Sequence, residues 1–157
     1  MTVQLATASD TNTATITAHL ARALSETSVV TAKAQTYHWN VIGMAFGPLH
    51  DLFQRIYEDH FEAQDMLAER MRALGDKVDG RLQARLKESR IDECAGNGSG
   101  HDMVKAMAAD QKTLSATLLT LARQAERQED DVTNDLAIER AQIHDNFAWM
   151  LDAHLAE

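Results

Sequence analysis

Residues 37–75 read YHWNVIGMAFGPLHDLFQRIYEDHFEAQDMLAERMRALG, with His38 and His50 on either side of a short break that contains glycine and proline. The pattern predicts a long amphipathic helix after the break, and Asp65 and Glu69 lie one turn apart on it. Carboxylates at positions i and i+4 point the same way from a helix. Imidazole nitrogens together with carboxylate oxygens form a ligand set that suits iron or another first-row metal.

The spacing of these residues predicts a site shared between two copies of the chain. If one helix runs unbroken from Pro48 to Leu74, His50 and Asp65 lie about 22 Å apart along its axis, since each residue adds about 1.5 Å. Fifteen steps of about 100° bring them within about 60° of each other around the helix. They cannot bind one metal ion within a single helix. Two copies packed antiparallel about a two-fold axis near Glu58 or Asp59 would form two identical sites.

The motifs HWNVIGMAF and PLHDLF, followed by Asp65, Glu69 and the run AERMRALG, resemble the Dps family, the small ferritins named for DNA binding in starved cells. The resemblance covers nearly the whole chain. It implies a ferroxidase centre at a subunit two-fold axis, with His38 and His50 from one subunit and the two acids from its partner. The family usually has a further carboxylate one turn after the second histidine, where this chain has Gln54.

Two residues beside these ligands leave alternatives open. The amide oxygen of Gln54 binds a metal only weakly because it carries no charge. Gln54 therefore either holds a bridging water or orients His50, or it is a surface or interface polar residue. Trp39 is either a core or interface aromatic residue or, as the resemblance implies, a local electron donor beside the iron.

The composition narrows the class of protein. The chain has 157 residues, 45% of them hydrophobic and 25% charged, which suits one globular domain with a sizeable core. A net charge of −9 argues against a body that attracts nucleic acid and favours attraction of cations. Cys94 is the only cysteine, so an intrachain disulfide is excluded. We expect no membrane span and no secretory signal, and the cytoplasm is the expected location by default.

The chain divides into two parts by pattern. Residues 1–12 are polar, rich in threonine and without periodicity, which predicts a flexible segment. Some Dps proteins gather DNA with a lysine-rich N-terminal tail, but here no Lys or Arg precedes Arg22, and the C-terminal end is also without basic residues. The tails therefore argue against DNA binding. Residues 13–157 are expected to form the folded domain.

The predicted fold class is all-α. Apolar periodicity predicts four long helices and a short helix in the connection between the second and third long ones. The ranges are about 12–39, 48–74, 81–89, 101–128 and 130–156. Four long helices with one long crossover indicate a ferritin-like four-helix bundle, and the resemblance implies that it assembles into a hollow dodecameric shell. No histidine has a glutamate three residues before it, which argues against a Glu-x-x-His di-iron site inside the bundle.

Two further groups of charged residues leave their roles open. Asp131 and Asp135 begin the last helix, where acids are expected from the helix dipole alone. The resemblance offers another role, because acids at matching positions line a three-fold pore through which Fe(II) enters Dps cages. The second group is predicted to be a solvated or two-fold interface cluster, and it comprises Glu58, Asp59, His60 and Glu62. This assignment leaves His60 outside the metal ligands.

The functional hypothesis is iron storage and detoxification by a homo-oligomer. Fe(II) is oxidised, preferably by hydrogen peroxide, at inter-subunit ferroxidase centres, and Fe(III) mineral is stored inside the cage, which protects against oxidative damage. Two alternatives remain: a cage whose main role is DNA protection, and a cage with a centre weakened at Gln54 that sequesters iron passively.

Overall fold

The computed structural model describes residues 8–156, with side chains from residue 15 onward. Every regular element in this part of the chain is a helix. The helices are α1 (Ala8–Asn40), α2 (Phe46–Ala73), α3 (Leu82–Glu88), α4 (Gly100–Arg127) and α5 (Asp131–Ala153). The four long helices and the short helix of the crossover were predicted from the sequence, and the all-α fold class is confirmed.

The helix ends differ from the prediction by a few residues, because end groups rather than periodicity fix them. Helix α1 begins at Ala8, one turn before the predicted start, while residues 1–7 of the predicted flexible segment lie outside the described residues. Helix α4 begins after Ser99, whose hydroxyl accepts a hydrogen bond from the Asp102 amide while the Asp102 carboxylate accepts from the Ser99 amide. Helix α2 ends before Gly75, which has φ +91° and closes the helix as predicted.

Two helical hairpins form the bundle. Helices α1 and α2 pack along each other, as do α4 and α5, and the crossover with α3 joins the two pairs. A five-residue connection links α1 to α2, and its Gly43 has φ +101°, a conformation that other residues rarely adopt. This tight turn returns the chain on itself directly after His38 and brings His50 alongside it.

Polar contacts, one of them to a buried carboxylate, hold the crossover to the bundle. Glu26 of α1 is fully buried, and its carboxylate accepts hydrogen bonds from Arg90 at 2.8 Å and from the Thr117 hydroxyl at 2.5 Å. The Arg90 guanidinium also donates to Thr117. Arg22 of α1 pairs with Glu88 at the end of α3. These contacts fix the path of a segment whose sequence has little periodicity.

The apolar core consists of two clusters. One contains Phe53, Met107 and Leu151 near the α1–α2 turn, and the other contains Leu20 and Leu118 toward the opposite end. Polar side chains lie between the two clusters. Those that are buried include Glu26, His60, Gln111, Thr117, Arg140 and His144. The bundle therefore encloses a polar layer that crosses it from α1 to α5.

The predicted surface cluster around residue 60 is corrected by this layer. His60 is fully buried, and Asp59 turns inward to form a two-point ion pair with Arg140 of α5, at 3.0 and 2.6 Å. Glu58 and Glu62 remain exposed, as predicted for a solvated or interface position. Desolvation makes a lone buried charge costly, and the partner that makes Asp59 acceptable inside lies 81 residues away in sequence.

Across residues 8–156, no helix combines the length and the apolar character that crossing a membrane requires.

Candidate metal centre

His38 and His50 face each other across the α1–α2 turn. Their imidazole rings stack with centroids 3.7 Å apart and planes inclined by 20°. The Nδ1 atom of His38 lies 2.9 Å from the carbonyl oxygen of His50, and the Nδ1 atom of His50 lies 2.8 Å from the carbonyl oxygen of His38. The spacing of twelve residues therefore brings both predicted histidine ligands into one site.

These hydrogen bonds settle the tautomer of both neutral rings. A carbonyl oxygen only accepts, so Nδ1 must carry the hydrogen in each histidine. The Nε2 atom of each ring then has a lone pair, and no hydrogen bond to Nε2 of His38 or His50 occurs among residues 15–156. A histidine whose Nδ1 donates to a main-chain carbonyl while Nε2 stays open is the usual arrangement of a metal ligand.

Aromatic side chains surround the histidine pair. The Phe46 ring stacks on His50 with centroids 4.9 Å apart, and the Tyr57 ring meets the edge of His38 at 5.4 Å. Trp39 is 69% exposed and makes no aromatic ring contact within the described side chains, so it is not a core residue of the single chain. Its role as an interface residue or as an electron donor stays a prediction.

Asp65 and Glu69 lie toward the other end of α2. Both are exposed and line a shallow groove with Glu62 and Phe61. Neither carboxylate forms a hydrogen bond or an ion pair with a side chain of residues 15–156. Two adjacent carboxylates without partners are suitable as half of the ligands of a cation. Two imidazoles with open Nε2 atoms suit the same borderline metals.

The two halves of the ligand set do not meet within one chain. Helix α2 is continuous from Phe46 to Ala73, which is the assumption behind the predicted axial separation of about 22 Å between His50 and Asp65. Within residues 15–156, no three His, Cys, Asp or Glu side chains come together in a way that would hold a metal ion. A centre that used all four predicted ligands would therefore need ligands from a second copy.

Gln54 extends from α2 one turn after His50 and donates its amide hydrogen to Glu58 Oε1 at 2.7 Å. A carboxylate accepts and does not donate, so the amide nitrogen of Gln54 must face Glu58. The amide oxygen is then on the side away from Glu58.

The predicted pore acids lie at the start of α5. Asp131 and Asp135 are both exposed, and the residue that caps the helix is Asp130, whose carboxylate accepts from the Thr133 amide at 3.0 Å. Arg70 of α2 also binds Asp130, at 2.7 Å. Since Asp130 supplies the cap, capping does not explain Asp135, which lies in the second turn.

The buried layer holds a second pair of histidines that the sequence did not single out. Asp59 accepts from His60 Nδ1 at 3.0 Å, so His60 Nε2 must accept from the Gln111 amide nitrogen, also at 3.0 Å. Gln111 Oε1 in turn accepts from His144 Nδ1 at 2.7 Å. Burial lowers the pKa of His60. Burial also lowers the pKa of His144 well below its usual value, and the nearby charge of Arg140 adds to this effect.

The layer is not a metal site of the kind found with Glu-x-x-His motifs. Burial alone would raise the pKa of Asp59, but hydrogen bonds from His60 and Arg140 outweigh it and lower the pKa far below its usual value. The guanidinium of Arg140 thus takes the position beside Asp59 that a cation would need. Both oxygens of Asp59 and the Gln111 amide oxygen already accept hydrogen bonds from protein donors.

Comparison with known proteins agrees with this architecture. The model of the ferritin-like domain family matches residues 17–157. The DNA protection during starvation protein of Brevibacillus brevis is 33% identical over 138 residues, covering 87% of this chain and 91% of that protein. DNA protection during starvation protein 2 of Bacillus anthracis is 30% identical over 136 residues, covering 87% and 93%.

Solved structures give the same result. A Dps protein from Bacillus brevis superposes with a TM-score of 0.91 at 28% identity, covering 97% of this chain and all of that one. Dps from Staphylococcus aureus superposes with a TM-score of 0.87 at 29% identity, covering 90% and 95%. The family model spans most of the chain, and the relatives match it over most of their own lengths, so the chain belongs to the Dps family of ferritin-like proteins.

Proposed function

We propose that this protein oxidises Fe(II) and stores the Fe(III) product, using centres formed between two-fold related subunits. The observation that carries the proposal is the placement of the ligands. His50 and the Asp65–Glu69 pair project from one side of a single unbroken helix, too far apart to meet in one chain. In an antiparallel pair of α2 helices, each copy supplies the half that the other lacks.

The surface around these residues supports such a pairing. Phe46 and Phe61 lie on the same side of α2 as His50, and they are 46% and 71% exposed. Trp39 at the end of α1 adds a third exposed aromatic side chain beside His38. Exposed apolar side chains close to polar ligands are typical of a surface that another protein covers. We propose that this pairing is repeated in a hollow twelve-subunit shell, as the resemblance implies.

The chemistry of the centre follows from its ligands. Two imidazoles and two carboxylates would hold Fe(II), and Glu69 would also help to bind a second, more weakly held Fe(II). Each Fe(II) gives one electron to hydrogen peroxide, whose O–O bond breaks, and two protons complete two waters. Because both electrons arrive together, no hydroxyl radical is released. The protein contributes by binding and positioning the ions, and Fe(III) then passes to the mineral inside the shell.

Net charge favours this function over direct DNA binding. Two relatives carry DNA protection in their names, but this chain has a net charge of −9. Phosphate backbones bind proteins through clustered Lys and Arg. We therefore propose that any protection of DNA comes from removing Fe(II) and peroxide. A gel shift at low salt with metal chelated tests this point, and retarded DNA would favour the alternative.

A passive cage is the second candidate, and Gln54 is the observation that favours it. The amide at this position supplies no charge, and its nitrogen is bound to Glu58 at 2.7 Å. Stopped-flow absorbance with peroxide and with oxygen, on the intact assembly, separates the two functions. Fast oxidation with about two Fe(II) consumed per peroxide supports the ferroxidase. Oxidation no faster than in buffer supports the passive cage.

Mixed assemblies test the shared centre directly. One variant lacks both histidines (His38→Ala with His50→Ala), and the other lacks both acids (Asp65→Ala with Glu69→Ala). Each alone should assemble but lose fast oxidation. Co-assembled in equal amounts, they should regain about one quarter of the centres, because half of the random pairs are mixed and each mixed pair has one intact site. No recovery would contradict an inter-subunit centre. Asp145→Ala, at an exposed acid on α5, is the control.

A further inference from the structure

The groove that holds Asp65 and Glu69 has a cationic wall. Arg85 of α3 lines this groove together with Glu62, Phe61 and both ligand acids. Its Nη1 atom donates to Ser28 Oγ at 2.9 Å and to Gln64 Oε1, also at 2.9 Å. Gln64 immediately precedes Asp65, so these bonds fix a guanidinium next to the acidic half of the centre.

The charge of Arg85 is not neutralised by any anion of the described side chains. Both of its acceptors are neutral, and its Nε atom is buried without a hydrogen-bond partner. Five other arginines form ion pairs with carboxylates, and these are Arg22, Arg70, Arg81, Arg90 and Arg140. The remaining four form no ion pair with the described side chains either, but they are exposed, whereas Arg85 is partly buried; they are Arg55, Arg72, Arg123 and Arg127. Arg85 thus keeps its full charge close to a pair of carboxylates that it does not bind.

The position of this guanidinium is fixed by neighbouring helices. Gln64 also donates to the Thr31 hydroxyl at 3.0 Å, and the Ser28 hydroxyl lies 2.8 Å from the carbonyl oxygen of Leu24. The acceptors of Arg85 are therefore held by α1 and α2 themselves. A guanidinium keeps its charge across the physiological pH range and forms directional bonds, so its field acts on the groove permanently.

We propose that Arg85 is a specificity-determining residue of the centre that weakens the binding of cations by Asp65 and Glu69. The inference rests on the proposed function. The repulsion grows with the charge of the ion, so it acts more strongly on Fe(III) than on Fe(II). Arg85 exchanges no electron and no proton in the oxidation. Its effect is to release the trivalent product from the ligands and free the centre for the next Fe(II).

Three variants of the intact assembly test this inference. Arg85→Gln removes the charge, Arg85→Lys keeps it, and Lys87→Gln removes an exposed charge from the same short helix as a matched control. Titration with Co(II), a redox-stable probe, should show binding about three- to tenfold tighter in Arg85→Gln. Arg85→Lys and Lys87→Gln should stay close to the wild type. The difference should shrink at 1 M salt, where screening is strong.

Kinetics provide a second readout. With substoichiometric Fe(II), Arg85→Gln should oxidise its first ions as fast as the wild type, because the ligands are intact. With repeated additions it should slow several-fold more than the wild type, because Fe(III) stays at the centre. Unchanged Co(II) affinity in Arg85→Gln would overturn the proposal. Equal shifts in Arg85→Gln and Arg85→Lys would overturn it too, since they would indicate packing of α3 rather than charge.

The two proposals fail in different ways. If the wild type binds Co(II) but does not oxidise Fe(II), the ferroxidase proposal fails, while the Co(II) comparison still decides the role of Arg85. If Asp65→Ala leaves Co(II) binding unchanged, the acids are not ligands, and the basis for both proposals is lost.

Discussion

His38 and His50 each donate through Nδ1 to the main-chain carbonyl oxygen of the other, at 2.9 and 2.8 Å. Each ring therefore helps to hold the backbone of the other histidine in place, and the stacked geometry depends on both residues. A ligand histidine usually takes its orienting hydrogen bond from a residue that does not bind the metal. Here the other histidine of the same proposed half-site serves that purpose.

The reciprocal hydrogen bonds between His38 and His50 predict that the losses of Co(II) affinity from replacing the two histidines are not additive. His38→Ala removes one ligand and also frees His50, and His50→Ala has the converse effect. The double variant should therefore lose little more Co(II) affinity than either single one, with a coupling of about 1–3 kcal/mol. Co(II) titration of the wild type, the two single variants and the double variant measures this coupling. His154→Ala, at an exposed histidine, is the control. Strictly additive losses would show that the rings act independently.

Gln54→Asp should strengthen the centre. A carboxylate one turn after His50 adds a charge where the amide oxygen is neutral, and this should tighten Co(II) binding and speed Fe(II) oxidation about tenfold or more. Gln142→Asp adds the same charge at an exposed position of α5 and should change neither. An unchanged rate in Gln54→Asp would mean that position 54 lies outside the reach of the metal.

Asp131 and Asp135 should affect delivery of Fe(II) and leave the chemical step unchanged. Replacing both by Asn should lower the oxidation rate at low Fe(II) and low salt, leave the rate at saturating Fe(II) unchanged, and lose its effect near 1 M salt. The double variant Glu139→Gln with Asp145→Asn removes two exposed charges from the same helix and serves as the control. A reduced maximal rate would indicate a role other than entry.

Acid should destabilise the subunit in two stages. His60 and His144 have pKa values lowered from the ordinary 6.5, so the unfolded chain binds protons before the folded one does. Stability should be full above pH 6.5 and fall below it, by at most about 1.4 kcal/mol per pH unit for each histidine. Asp59, whose pKa is lowered from 3.8, adds a further loss below that value.

Denaturant unfolding of the assembly between pH 7.5 and 5 measures the first stage. His144→Leu should reduce the slope with pH, even though it lowers stability at neutral pH by leaving Gln111 without a donor. His154→Gln, at an exposed histidine, should leave the slope unchanged. A wild-type curve that is flat over this range would contradict the assignment of His60 and His144 as neutral buried groups.

The sequence was sufficient to predict the long helices and to predict which residues lie together in each half of the proposed metal centre. Apolar periodicity indicates α2, and the i, i+4 spacing places Asp65 and Glu69 together because both follow from local helix geometry. The sequence was insufficient to predict the burial of His60, which depends on Gln111 and Arg140 from other helices. The position of Arg85 beside the acids is likewise absent from any local pattern, because α3 is short and docks by contacts distant in sequence.

The polar layer between the two apolar clusters also determines the vertical register of the bundle. Leucine-rich helices can slide along each other by one turn, about 5.4 Å, and still bury apolar surface. A slide of α2 by one turn would carry His60 away from Gln111 and into an apolar cluster, and it would separate Asp59 from Arg140. Several buried donors and acceptors would then be unpaired at once. The observed alignment of the helices pairs these groups, and it would also set the height at which Asp65 and Glu69 meet a second copy in the proposed assembly.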